Sequence, residues 1–175
     1  MILKSLAVVV IVIAAVLLFA ATRPNTFRIE RSATIDAAPD KVFPLIDDFH
    51  QWNRWAPQDR EDSSLVRTFS GAESGSGAIS DWQGNGQSGS GRMTIVESRP
   101  SSLVTVQAAW ARPMNTVNIN RFVLEPAGTS TKVTWSMEGS NLYMMKVMGV
   151  FVNMDRMMGK HFEDGLRNLK EVAEK

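Results

Sequence analysis

The chain contains no cysteine, a single tyrosine (Tyr143) and only two histidines, His50 and His161, in 175 residues. Without cysteine there are no thiolate nucleophiles, no thiolate zinc sites and no disulfide staples. Two histidines are too few for a histidine-rich metal centre, and no cofactor is expected. Charge of one sign is also lacking, since 19 Lys/Arg against 18 Asp/Glu leave a formal net charge of +1. Nucleic-acid binders usually carry a basic excess or stripe, so that class is not expected. With 44% hydrophobic and 21% charged residues, the composition fits neither a disordered chain nor a collagen-like fibre. The length suits one domain of ordinary size.

Charge is distributed unevenly. Lys4 is the one charged side chain in residues 1–22, whereas residues 23–175 hold 18 basic and 18 acidic residues. That balance argues against a partner selected by net charge. From Leu6 to Ala21 the sequence LAVVVIVIAAVLLFAA is apolar without a break. Extended by Ile2, Leu3 and Thr22 it would rise about 31 Å, close to a hydrocarbon core of about 30 Å, with Lys4 reaching the headgroups. Residues 1–22 are therefore expected to be a transmembrane anchor or, alternatively, a signal peptide. The expected localisation is the cytoplasmic (inner) membrane, single-pass, with the domain leaning to the extracytoplasmic side. Residues 23–26 form a linker, with Pro24 stopping the helix. So short a connection would hold the domain, and the mouth of any pocket, against the headgroups.

The remainder reads as strand, helices, strands, helix. Phe27, Ile29, Arg31, Ala33 and Ile35 alternate with polar neighbours as a first strand. Pro39 and Asp40 mark a helix start, with Val42, Phe43, Leu45 and Ile46 on its apolar face, and a second short helix is expected around Phe49, Trp52 and Trp55. Between Leu65 and Met137 the period is two, with strands expected at 65–70, 77–83, 91–98, 103–110, 116–125 and 131–138. Gly84-Asn85-Gly86, Arg99-Pro100-Ser101, Arg112-Pro113 and Pro126-Ala127-Gly128 supply turn chemistry. Spacings this tight call for an antiparallel meander. The Gly-rich run at 84–91 lacks the spacing of a phosphate cradle and reads as a hairpin tip. After Gly139, Met148, Phe151, Met158, Phe162, Leu166 and Leu169 trace one helical stripe, a long C-terminal helix able to cover the sheet.

These segments resemble the START-like (SRPBCC) superfamily and, within it, the polyketide cyclase/dehydrase and lipid-transport branch. The matching stretches are IERSATIDAAPDKVFPLIDDFHQWNRWAP (29–57), SDWQGNGQSGSGRMTIVES (80–98), TKVTWSMEG (131–139) and KVMGVFVNMDRMMGKHFEDGLRNLK (146–170). The resemblance covers residues 27–173 and implies an α+β helix-grip fold, in which a curved antiparallel sheet wraps a long C-terminal helix. With the N-terminal transmembrane helix added, the domain occupies residues 27–175. Such a fold places a cavity between the sheet and that helix, and fold alone does not settle activity.

Six of the ten methionines fall at 144–158: Met144, Met145, Met148, Met154, Met157 and Met158. Methionine is flexible and polarizable and suits adaptable apolar surfaces. The ligand-binding candidates are Trp52, Trp55, Trp82, Met93, Trp110, Trp135, Met148, Phe151, Met154 and Met158. Against that reading stands a filled core in which these side chains merely take up volume. Catalytic candidates are confined to Asp155, Asp81 and Glu97; buried, they could act as acid or base. A helix-edge Asp155 would instead pair with a base such as Arg121 or Arg92. His161 reads as a surface helix residue, and the sequence offers no nucleophile–base pair. The leading expectation is a membrane-tethered domain that binds or transports a lipid or other small hydrophobic ligand, with the bilayer as second partner. The alternatives are a small aromatic cyclase or dehydrase, whose carboxylates would face a polar cavity, and a cochaperone-like interaction module, which would expose an apolar patch.

Overall fold

The computed structural model describes residues 2–85, 88–112 and 115–175, with side chains described from Ser5 onward. Gly86 of the Gly84-Asn85-Gly86 turn, Pro113 of the Arg112-Pro113 turn and the Lys4 side chain lie outside the described residues. In chain order the elements are α1 (Ile2–Ala21), β1 (Thr26–Ile35), α2 (Pro39–Asp47), a 3₁₀ helix (Phe49–Arg54) and α3 (Pro57–Glu61). The strands β2 (Val66–Gly71), β3 (Ala78–Gln83), β4 (Ser90–Arg99), β5 (Leu103–Arg112), β6 (Thr116–Ala127) and β7 (Ser130–Ser140) follow, and α4 (Tyr143–Phe151) and α5 (Met154–Ala173) close the chain.

The seven strands form one antiparallel sheet in the order β1-β7-β6-β5-β4-β3-β2. Consecutive strands are neighbours from β2 to β7, as tight turns require, and β1 closes on the far edge beside β7. Gly128, at φ 67°, turns β6 into β7 in a conformation that costs glycine little. α5 packs along β1 and reaches β7 and α2. Its buried Phe162, Leu166 and Leu169 repeat at helical spacing and face Ile35, Val133 and Trp135 in one core. This is the helix-grip arrangement.

Three expectations need correction. The transmembrane anchor fails, and with it the single-pass inner-membrane localisation: among the described residues no helix is long and apolar enough to cross a membrane. α1 instead lies against α4, where Tyr143 Oη donates to the Leu17 carbonyl at 2.9 Å. The single long C-terminal helix is two helices. Val152 is extended, and Asn153 leaves the helical path to cap α5, its Oδ1 accepting from Arg156 N at 2.9 Å. Asparagine favours such caps over helix interiors because its side chain competes for backbone donors. The short helix around Trp52 is a 3₁₀ helix capped by Asp48, with α3 following it after Pro57.

Candidate functional site

Aromatic side chains fill the middle of the grip. The Trp135 indole stacks on Phe162 with centroids 4.2 Å apart and planes 5° apart, and its cross-strand neighbour Phe122 lies 4.9 Å away. Trp55 meets both Trp135 and Phe122 edge-on, and Trp52 lies 5.0 Å from Trp55. The indole nitrogens are satisfied internally. Trp52 donates to the Ile46 carbonyl at 3.0 Å, Trp55 to the Leu45 carbonyl at 2.8 Å, and Trp135 to Asn120 Oδ1 at 3.1 Å. A cluster this well paired is core, rigid and without spare polar groups.

Space opens at the N-terminal end of α5, where the chain breaks between α4 and α5. A pocket of about 690 Å³ lies between α4, the first turns of α5 and the β1–β7 end of the sheet. Register explains its floor. Ile29 pairs with Met137, and Phe27 with Gly139, which in turn faces Asn118. Phe27 and Asn118 close over Gly139, where a Cβ would collide with both. Trp110 and Thr116 come from the ends of β5 and β6, while Met145, Gly149, Val150, Met154 and Met158 supply the roof. The break at Asn153 therefore makes the pocket, since an unbroken helix would have kept α4 in line with α5.

The rim carries charge. Arg28 pairs with Glu30 at 2.6 Å and with Glu138 on β7. Arg31 holds Asp155 at 3.0 Å and Glu163 at 2.8 Å. Its guanidinium sits against Gly159, where any side chain would displace it. Lys146, on α4, is only 7% exposed, and its Nζ donates to Asn25 Oδ1 at 2.6 Å.

Of the residues picked out in the sequence, Trp110, Phe151, Met154 and Met158 line this pocket. Trp52, Trp55, Trp82, Met93 and Trp135 belong to the buried core, and Met148 is half exposed on α4. Asp155 stands at the rim, but its partner is Arg31 and neither Arg121 nor Arg92. Arg92 instead grips Asp81 through two hydrogen bonds, at 2.7 and 3.0 Å, which hold that carboxyl below the usual carboxylate range. Glu97 accepts from Arg99 at 2.5 Å. His161 is half-buried rather than on the surface, 6.5 Å from the Trp135 ring, and its burial lowers its pKa despite Glu61 and Asp164 nearby. Sequence reasoning missed Phe27, Ile29, Met137 and Lys146. The alternation of β1 marked the first two as inward, but only the β1–β7 register shows that they share a floor with Met137.

A curved antiparallel sheet gripping a C-terminal helix, with an apolar pocket at one end, defines the helix-grip class of α+β domains. The chain belongs to the polyketide cyclase/dehydrase and lipid-transport family, whose model matches residues 26–174. Among solved structures it resembles an uncharacterized protein from Rhizobium leguminosarum (12% identity, 85% of this chain and 95% of that one, TM-score 0.63). It also resembles a structural-genomics protein from Chromobacterium violaceum (14% identity, 87% and 99%, TM-score 0.60). A third is the Aha1 dimer from Colwellia psychrerythraea (20% identity, 85% and 95%, TM-score 0.57). At these identities the likeness establishes the fold. Among curated proteins none matches the chain significantly.

Proposed function

We propose that the chain binds one small hydrophobic molecule in the pocket between α4, the start of α5 and the β1–β7 end of the sheet. The observation that carries this reading is the contrast between two apolar regions. The aromatic cluster under α5 is closed and satisfied, whereas Phe27, Ile29, Trp110, Met137, Met154 and Met158 surround about 690 Å³ of open space. That volume falls within the range of small-molecule sites, roughly 300–1,000 Å³. Methionines at the roof let it adapt to a flexible or flat occupant. The family description, which includes lipid transport, supports the same reading. The cyclase alternative would need free carboxylates, and Asp81, Glu97 and Asp155 are each engaged by an arginine.

The test is saturable binding of the neutral fluorescent probe N-phenyl-1-naphthylamine, compared with its binding to a Met154→Trp variant that fills the space. One site per chain, competed by dodecanol and lost in the variant, is the expected result. Non-saturable binding, or binding indifferent to the filling, would place the probe on exposed apolar surface and refute the reading.

A second reading rests on that surface. Met144 and Phe151 on α4 are 64% and 74% exposed, and Leu18 on α1 is 71% exposed. Large exposed apolar side chains on two adjoining helices can form an interaction surface, and a second copy of the chain would cover like with like. Sedimentation velocity over a concentration series distinguishes a dimer from a monomer, and Phe151→Ser should shift any such equilibrium toward monomer.

A further inference from the structure

The apolar pocket holds a feature that an apolar ligand alone would not use. Lys146 points from α4 to the pocket wall with its side chain more than nine-tenths buried. A buried ammonium normally finds a carboxylate, because removing an unpaired charge from water costs several kcal/mol. Among the described residues Lys146 has no ion-pair partner, and the hydrogen bond to the neutral Asn25 amide uses one of its three donors. The other charged wall residues are accounted for differently. Arg28 and Asp155 are both neutralised, by Glu30 and Glu138 and by Arg31 respectively. Arg23 lies over the Phe19 ring at 5.1 Å and, among the described residues, forms no ion pair. The pocket is thus apolar over its floor and roof, with uncompensated positive charge at the α1–α4 side.

We propose that the ligand is an anionic amphiphile, an apolar body carrying one carboxylate or phosphate group, and that Lys146 receives the anionic group with Arg23 in support. This rests on the pocket reading above and narrows it to a ligand class. An anion there completes the donors of Lys146 and neutralises its charge, while the hydrocarbon displaces solvent from Ile29, Met137 and Met158. The ammonium is a point charge and tolerates either oxyanion geometry. Asn25 fixes its position from the short connection between α1 and β1.

The experiment uses the full chain and four C12 probes at sub-micellar concentration: dodecanoate, dodecyl phosphate, dodecanol and dodecyltrimethylammonium. Competition against N-phenyl-1-naphthylamine should give both anions about a tenfold or greater advantage over dodecanol, the scale of one charge-assisted hydrogen bond in a dry site. The cation should bind worst, and inorganic phosphate alone should not compete. Lys146→Met should erase the advantage while keeping dodecanol affinity, and Lys146→Arg should retain it. Equal binding of dodecanoate and dodecanol by the native chain overturns the proposal but leaves the pocket reading standing. So does an anion preference that survives in Lys146→Met, or competition by inorganic phosphate alone. If none of the four chains binds, the pocket reading itself falls, and this inference with it. Should Lys146→Met not fold, the native protein still decides: the Lys146 Nζ resonance, assigned by its loss in Lys146→Arg, must shift with dodecanoate and not with dodecanol.

Discussion

Trp135 and Phe162 lie face to face, 4.2 Å between centroids, joining the middle of β7 to the middle of α5. Gly165 makes room for this contact, since a Cβ there would press on the Trp135 ring. The pair is the point at which the sheet grips its helix.

Phe162→Ala should therefore cost about 3–5 kcal/mol, the range for removing a fully buried aromatic ring. Urea unfolding followed by tryptophan fluorescence measures it. A loss under 1 kcal/mol would mean that α5 is held mainly by its ion pairs with β1.

A second test concerns Arg67 and Asp59, 7% and 6% exposed, which join β2 to α3 through two hydrogen bonds of 2.5 and 2.6 Å. Removing one partner of such a pair leaves the other charge buried and costs about 3–5 kcal/mol. Arg67→Met alone should destabilise more than Arg67→Met combined with Asp59→Leu. The reverse order in denaturant midpoints would show that water reaches the abandoned carboxylate.

Much of this was legible in the sequence, and the reasons differ by element. The sheet could be read because alternation and turn residues are local signals, and six of the seven strands pair with a sequence neighbour. The C-terminal helix was legible as an apolar stripe, but its interruption was not. Asn153 looks like one polar residue among many until its side chain is seen capping Arg156 N. The tryptophans were visible as a set, yet composition cannot separate a ligand wall from a packed interior. That distinction depends on whether Trp52, Trp55 and Trp135 meet each other, a matter of tertiary geometry. Lys146 was invisible as a site residue because a lysine in an otherwise apolar helix normally reads as its solvent face.

Acid should weaken the fold through His161. Its folded pKa lies below the ordinary value near 6.5, because burial disfavours the imidazolium. The unfolded chain then binds more protons between the two values, so stability is complete above about pH 6.5 and declines as pH falls toward the folded pKa. His161→Gln should flatten the slope of urea midpoint against pH between about 7 and 5. An unchanged slope would assign the acid sensitivity to other groups.

Gly149 offers a gain. It sits inside α4 on the pocket wall, and a Cβ built there meets nothing within 4 Å. Gly149→Ala should stabilise by about 0.5–1 kcal/mol, the helix-propensity difference, and leave probe binding intact. Gly149→Trp should keep the fold and occlude the pocket, weakening N-phenyl-1-naphthylamine binding at least tenfold. Thermal melts and titrations on both variants separate the two effects.

The hydrogen bonds that tie α1 and the connection after it to α4 and its approach have an effect beyond packing. Tyr143 Oη holds the Leu17 carbonyl, Asn141 N donates to the Asn25 carbonyl at 2.7 Å, and Lys146 holds the Asn25 side chain. α4 thus touches both α1 and the pocket, and Asn25, in the connection that follows α1, holds the buried Lys146. Coupling through such contacts is reciprocal. By whatever factor an occupant tightens the hold on α1, fixing α1 from outside tightens the hold on the occupant. For the binding proposed here, the N-terminal segment would thereby be a handle on affinity as well as a piece of structure.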